Sequence, residues 1–196
     1  MSKRKIMSRP FTDQLKKYIG LLLVFGLAAC SGVGTKPVDT AVTEQYQQGL
    51  RLMKEKEYQS AVEVFQAITQ KRSDLVGPYL NMGIAYRKLG QPEASLEAFT
   101  QAQKIKPESV VVYNQLGVLH RNEGRFDEAK SAYLKAITVD KSYSPAYRNL
   151  GILCDLYLRD FSCAIDNYTQ YQTLTQGKDK QVSLWIKDLQ RRIGQE

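Results

Sequence analysis

Apolar and small residues recur at helical spacing through the middle of the chain, in two groups separated by a polar break. The first group falls at positions i, i+3, i+4 and i+7 and so shares one helix face: Tyr113, Leu116, Gly117 and His120. The second group follows the polar stretch 122–125 and lines another helix: Phe126, Ala129, Tyr133 and Ala136. Because Gly117 and Ala129 are small, the two helices can approach closely. The pattern predicts a tightly packed helix pair.

The helix pair repeats along the chain at a constant interval. One glycine marks each copy: Gly49, Gly83, Gly117 and Gly151. An aromatic residue follows each glycine at a fixed distance, except that it comes one position later in the last copy: Phe65, Phe99, Tyr133 and Tyr168. The glycines are 34 residues apart, and a fixed period of this length is typical of repeat arrays. The lag in the last copy predicts a one-residue insertion in the turn near 158–161.

These residues resemble the tetratricopeptide repeat, whose unit of about 34 residues is a helix–turn–helix. The resemblance implies an all-α fold, in which a superhelical array of about four units runs over 42–75, 76–109, 110–143 and 144–175. The two middle units match the family pattern best. The outer two depart from it, as expected for units that have a neighbour on one side only.

After the array, apolar residues at helical spacing predict a C-terminal capping helix within 178–196. The apolar stripe comprises Val182, Trp185, Ile186, Leu189 and Ile193. Asp179 is suited to cap the start of this helix. We expect the stripe to cover the open apolar side of the last repeat, because the ends of a repeat array need capping.

Residues 1–29 have the organisation of a secretory signal peptide. A cationic stretch precedes the apolar segment 18–29, which is too short to span a bilayer as a helix. The true start is Met1 or Met7, and a start at Met7 would leave a leader of more usual length.

The leader ends in Leu-Ala-Ala-Cys at 27–30, which resembles the lipobox of bacterial lipoproteins. The resemblance implies that Cys30 is lipidated and becomes the mature N-terminus, and that 30–41 is a flexible tether. Because Ser31 rather than an aspartate follows, it also implies delivery to the periplasmic face of the outer membrane. The alternative is an ordinary signal peptide with an unrelated cysteine.

The net charge of +8 is concentrated in the leader, since residues 30–196 carry a net charge of only +3. The array therefore lacks the basic excess that is typical of nucleic-acid-binding proteins. It also lacks a phosphate-binding loop, a nucleophile elbow, and residues at metal-ligand spacing around its one histidine, His120. We therefore expect no nucleic acid, small-molecule substrate, cofactor or metal, and no enzyme activity.

Two cysteines, Cys154 and Cys163, flank the predicted turn of the last unit. Near the turn of a helix hairpin such residues can face each other, and an oxidising compartment would allow them to form a disulfide. The alternative is a pair of separate buried thiols.

In tetratricopeptide arrays the first helices line a concave groove, and the resemblance implies that positions 5, 9 and 12 of each unit point into it. Position 9 is aliphatic throughout: Leu50, Ile84, Val118 and Ile152. Position 5 is Tyr46, Leu80, Asn114 and Arg148, and position 12 is Met53, Arg87, Arg121 and Asp155. An apolar floor beside arginines suits an extended or helical partner segment with apolar anchors and acidic residues. The alternative is that position 9 only packs neighbouring helices.

The predicted function is that of a non-enzymatic, lipid-anchored periplasmic scaffold, whose groove binds a protein of the cell envelope. Lipoproteins of this build serve pilus and outer-membrane assembly. The last unit and tail, at 151–158, 168–172 and 182–192, resemble small tetratricopeptide proteins associated with TonB-type systems. The alternative is an adaptor for, or a member of, the peptidoglycan hydrolases and proteases. An enzyme of that class would need two carboxyls that converge in a pocket with raised pKa values.

Overall fold

The computed structural model describes residues 39–194, which form helices connected by short turns. The α-helices of these residues are α1 (Thr40–Glu55), α2 (Tyr58–Lys71), α3 (Val76–Lys88), α4 (Pro92–Ile105), α5 (Val110–Asn122), α6 (Phe126–Val139), α7 (Ser144–Leu153), α8 (Phe161–Leu174) and α9 (Lys180–Ile193). A π-helical turn, Cys154–Leu158, continues α7. The predicted leader 1–29, Cys30 and the tether up to residue 38 lie outside the described residues.

Consecutive helices pair as α1 with α2, α3 with α4, α5 with α6 and α7 with α8, and each pair stacks on the next. The first helices also approach one another, since α3 contacts α5 and α5 contacts α7. In a curved array, the layer in which helices approach one another is the concave one. The inner layer is therefore α1, α3, α5 and α7, and the predicted all-α repeat array is confirmed.

Each repeat glycine leaves room for the aromatic ring of its own unit. A Cβ added at Gly83 would lie 2.5 Å from the Phe99 ring, and one at Gly117 would lie 2.4 Å from the Tyr133 ring. The other two pairs have the same arrangement: Gly49 with Phe65 and Gly151 with Tyr168. All four rings are at most 1% exposed. The predicted repeat register is therefore confirmed.

The first helix of each unit ends at a left-handed residue, which turns the chain into the second helix. In the first three units these residues keep the repeat period: Lys56, Gly90 and Gly124, with φ of 66°, 71° and 72°. In the third unit the amide of Arg125 then donates to the carbonyl of His120 at 2.8 Å. The His120 carbonyl lies in the last helical turn, where backbone carbonyls have no hydrogen-bond partner within the helix, and this bond supplies one.

The fourth unit accommodates its extra residue in the end of the first helix. Its π-helical turn Cys154–Leu158 is wider than an α-helical turn by one residue, and the left-handed residue is Arg159, with φ of 54°. The amide of Asp160 consequently donates to a carbonyl six residues back, that of Cys154, at 2.9 Å. The predicted insertion is present but begins earlier than 158–161, because a π turn absorbs an extra residue without ending the helix.

Helix α9 covers the last repeat, as the sequence predicts. Asp179 caps its start by accepting hydrogen bonds from the amides of residues 181 and 182 at 3.1 and 3.2 Å. Val182 and Leu189 are at most 2% exposed, in one core cluster with Tyr168. The expectation for Ile193 is wrong: it lies in the final helical turn and is 39% exposed.

Within residues 39–194, no helix combines the length and apolarity needed to cross a membrane.

Candidate partner-binding surface

Four aliphatic side chains follow one another along the inner layer, one from each first helix. This aliphatic row comprises Leu50 on α1, Ile84 on α3, Val118 on α5 and Ile152 on α7. All four are half-buried, and each packs against a core cluster while part of its side chain stays exposed. The row therefore contributes to the core and to the concave surface at once. Met53 and Leu80 are half-buried in the same way.

Polar side chains join successive first helices to each other. The Nδ2 of Asn81 donates to the Tyr46 hydroxyl at 2.8 Å, and the Nδ2 of Asn149 donates to Oδ1 of Asn114 at 2.9 Å. Asn114 is 4% exposed, so its predicted place on the binding surface is corrected: it packs α5 against α7. Tyr46 keeps partial exposure beside its bond to α3.

Sequence reasoning missed one residue in each bond between successive first helices, including a third bond made by Gln115. The missed residues occupy the same position in successive units: Asn81, Gln115 and Asn149. Gln115 accepts a hydrogen bond from Nη2 of Arg87 at 3.3 Å, which links α5 to α3. Polar residues at the repeat period were the signal that could have found this ladder.

Arg148 contacts the capping helix as well as lying at the predicted groove position. Its Nε lies 3.9 Å from a carboxylate oxygen of Asp179, and its guanidinium stacks 5.5 Å from the ring centre of Trp185. Arg148 therefore differs from the other two predicted groove arginines, Arg87 and Arg121, in having an ion-pair partner within residues 39–194. The reason is that α9 supplies a charge partner and an aromatic face that Arg87 and Arg121 do not have.

Arg87 and Arg121 lie close together on α3 and α5, beside the hydroxyl of Tyr133. Burial lowers the pKa of Arg87, and the neighbouring charge of Arg121 lowers it further. Burial also raises the pKa of Tyr133 to about 12, although the two guanidiniums oppose this shift. Among residues 39–194, no carboxylate forms an ion pair with either arginine. This part of the concave surface therefore carries positive charge that the fold does not neutralise.

The concave surface ends in a cleft of about 380 Å³ beside α9, which holds Asp155 and Asp188. Burial raises the pKa of the Asp155 carboxyl. Hydrogen bonds from Arg191 and Arg192 hold the pKa of Asp188 below its usual value. The pKa values of these two carboxyls therefore shift in opposite directions, rather than both upward as specified above for the enzyme alternative.

His120 lies half-buried on α5, where the sequence predicts a packed side chain. Burial lowers the pKa of its imidazole, and the charge of Arg125 acts in the same direction. A lowered pKa keeps the ring neutral at pH 7. In the part of the chain that the structure describes, no three His, Cys, Asp or Glu residues are grouped so that they could hold a metal ion.

Cys154 and Cys163 are joined by a disulfide in the structure. Cys154 opens the π-helical turn and is fully buried, and Cys163 lies in the first turn of α8. The bond therefore connects the two helices of the one unit whose turn is irregular. Asp160 caps α8 by accepting a hydrogen bond from the amide of Cys163 at 3.0 Å.

Two sequence profiles described as tetratricopeptide repeat match adjacent stretches, residues 78–109 and 110–143. The chain is a tetratricopeptide repeat protein. Repeats of this family are protein-interaction scaffolds, so a protein partner is the ligand class that this fold supports. No curated protein matches the sequence.

Several solved structures have the same fold as this tetratricopeptide repeat protein. PilF of Pseudomonas aeruginosa is 18% identical, with a TM-score of 0.72 over 79% of this chain and 70% of that one. YrrB, a tetratricopeptide protein with an unusual peptide-binding site, is 22% identical, with a TM-score of 0.60 over 76% and 75%. The first such domain of Spaghetti (RPAP3), bound to the HSP90 peptide SRMEEVD, is 17% identical, with a TM-score of 0.55 over 59% and 93%.

Proposed function

We propose that this protein is a non-enzymatic scaffold that binds a segment of a partner protein along its concave surface. The observation that carries the proposal is the aliphatic row, which runs through all four repeats and stays partly exposed. Beside it lie Arg87 and Arg121, which have no ion-pair partner among residues 39–194. An apolar floor supplies contact area, and fixed guanidiniums select for acidic segments. Spaghetti holds an HSP90 peptide and YrrB has a peptide-binding site, which supports a peptide-like ligand for this fold.

Photocrosslinking tests this proposal directly. A photoreactive residue at Ile84 or Val118 should be joined to a partner in intact cells, because both positions lie on the concave surface. The control is Leu134 on the second helix α6, which is 45% exposed on the other layer. If a partner crosslinks equally well to position 134, or to position 134 alone, the concave surface is not the binding site.

We further propose that the scaffold is anchored by lipid at Cys30 to the periplasmic face of the outer membrane. The support is the Leu-Ala-Ala-Cys stretch at 27–30 after a short apolar run, with Ser31 following. A disulfide in the array suits an oxidising compartment. The partner then belongs to an envelope assembly or transport machine, such as a pilus, outer-membrane assembly or TonB-type system.

Replacing Cys30 with serine should leave the leader uncleaved or release the protein from the membrane fraction. Several acyl chains hold a protein stably on a bilayer, at about 0.8 kcal/mol per buried methylene, and serine cannot carry a thioether-linked lipid. Fractionation and the mass of the mature N-terminus measure the outcome. Cys163→Ser is the matched control and should remain lipidated. Normal processing and membrane association of Cys30→Ser would refute the lipid anchor.

A further inference from the structure

The middle of the concave surface holds a cluster of hydrogen-bond donors that have no acceptor. Nε of Arg87, Nε and Nη1 of Arg121, and the hydroxyl of Tyr133 are all buried without a hydrogen-bond partner. Buried polar groups in folded proteins are nearly always hydrogen-bonded. Several unpartnered donors within one cluster therefore indicate that an acceptor from outside the chain completes it.

The equivalent place in the fourth repeat shows what kind of acceptor fits. Tyr168 there corresponds to Tyr133, and its hydroxyl donates to a carboxylate oxygen of Asp155 at 3.4 Å. Asp155 and Arg121 both occupy position 12 of their units. The fourth repeat thus supplies a carboxylate to its own tyrosine, whereas the third presents a guanidinium and leaves the tyrosine hydroxyl unpaired.

The position of the cluster indicates which carboxylate would reach it. Arg87 belongs to the second repeat and Arg121 to the third, so the aliphatic row continues past them on both sides, to Leu50 and to Ile152. A segment that covers the whole row passes over the arginines and ends elsewhere. An acidic side chain within the segment therefore fits better than a chain terminus.

We infer that Arg87, Arg121 and Tyr133 form a receptor for the carboxylate of one aspartate or glutamate within the partner segment, an assignment that rests on the proposed binding surface. The two planar guanidiniums offer several N–H groups to a carboxylate, and the tyrosine adds an O–H donor. The incoming charge also relieves the repulsion between Arg87 and Arg121, which lack an ion-pair partner among residues 39–194.

Three short labelled peptides test the receptor by fluorescence anisotropy with the full chain in detergent. All three have leucine at alternate positions for the aliphatic row. The first has capped ends and a central glutamate, the second has glutamine instead, and the third has glutamine and a free C-terminal carboxylate. We expect the glutamate peptide to bind about tenfold or more tightly than the glutamine peptide, as charge-assisted hydrogen bonds allow.

The preference for glutamate should vanish in the double variant Arg87→Gln, Arg121→Gln and weaken in Tyr133→Phe. The matched control removes two charges from exposed positions of second helices, as Lys104→Gln with Lys135→Gln, and should keep the preference. The arginine variant should melt close to the wild type, because it removes one long hydrogen bond, from Arg87 to Gln115 at 3.3 Å, and no ion pair within residues 39–194. A melting temperature that falls steeply would show a structural role and overturn the receptor.

Equal binding of the glutamate and glutamine peptides would overturn the receptor, and so would a preference that survives in the arginine variant. Tighter binding of the peptide with the free C-terminus would overturn the assignment to an internal side chain. If no peptide binds, the receptor is again overturned, whereas crosslinking from Ile84 and Val118 decides the proposed function independently.

Discussion

Replacing Phe99 with alanine should lower the free energy of unfolding by about 3–5 kcal/mol, which is the usual cost of removing a large buried ring. Phe99 is fully buried between α3 and α4 and packs against Gly83. Denaturant unfolding of the variant beside the wild type measures the loss. Leu134→Ala is the control, because its side chain is 45% exposed. A surface substitution of this kind should cost about 0.5 kcal/mol or less.

A double-mutant cycle makes this test specific to the repeat register. Gly83→Ala alone should destabilise the protein by about 1–3 kcal/mol, because its Cβ would meet the Phe99 ring at 2.5 Å. In a Phe99→Leu background the added methyl has more room, so its cost should shrink. Costs that simply add would show that the two residues are not in contact, and the assigned register would be wrong.

Removing the disulfide with Cys154→Ala and Cys163→Ala should cost roughly 2–3 kcal/mol, the range expected for a closed loop of this length. The two cysteines are 9 residues apart in sequence, so the bond restricts a short stretch of the unfolded chain. For a protein of this size the melting temperature should fall by roughly 5–10 °C. Alanine is the suitable replacement because a serine at the fully buried Cys154 would need a hydrogen-bond partner.

Reduction of the wild type provides the control for the disulfide variant. A thiol reductant should lower the melting temperature of the wild type to that of the variant and should leave the variant unchanged. If the wild type melts at the same temperature with and without reductant, the bond does not stabilise the fold.

The repeat architecture was predictable because its causes recur at one spacing. Each glycine leaves room for an aromatic ring of the helix that follows it, so the sequence encodes the same contact in all four units. Asp179 was predictable as a helix cap for a related reason, since capping depends on close neighbours in the chain. Periodic and local interactions leave a pattern that one sequence reveals.

The details of the binding surface were less predictable, because they depend on contacts that the period does not determine. Arg148 pairs with Asp179, a residue of the non-repeating tail, so its contacts could not be derived from the repeat pattern. Asn114 is buried because Asn149, on the next first helix, donates to it. The unpaired donors around Tyr133 depend on the three-dimensional distance between Arg87 and Arg121, which the sequence does not specify.

Crosslinking from every position of the aliphatic row measures most directly whether the concave surface holds one partner segment. Photoreactive residues at Leu50, Ile84, Val118 and Ile152 should each join the same partner protein. Mass spectrometry should then locate the four crosslinked residues of the partner within one short segment, in an order that follows the order of the repeats. Crosslinks scattered over unrelated proteins, or no more frequent than from Leu134, would contradict the account.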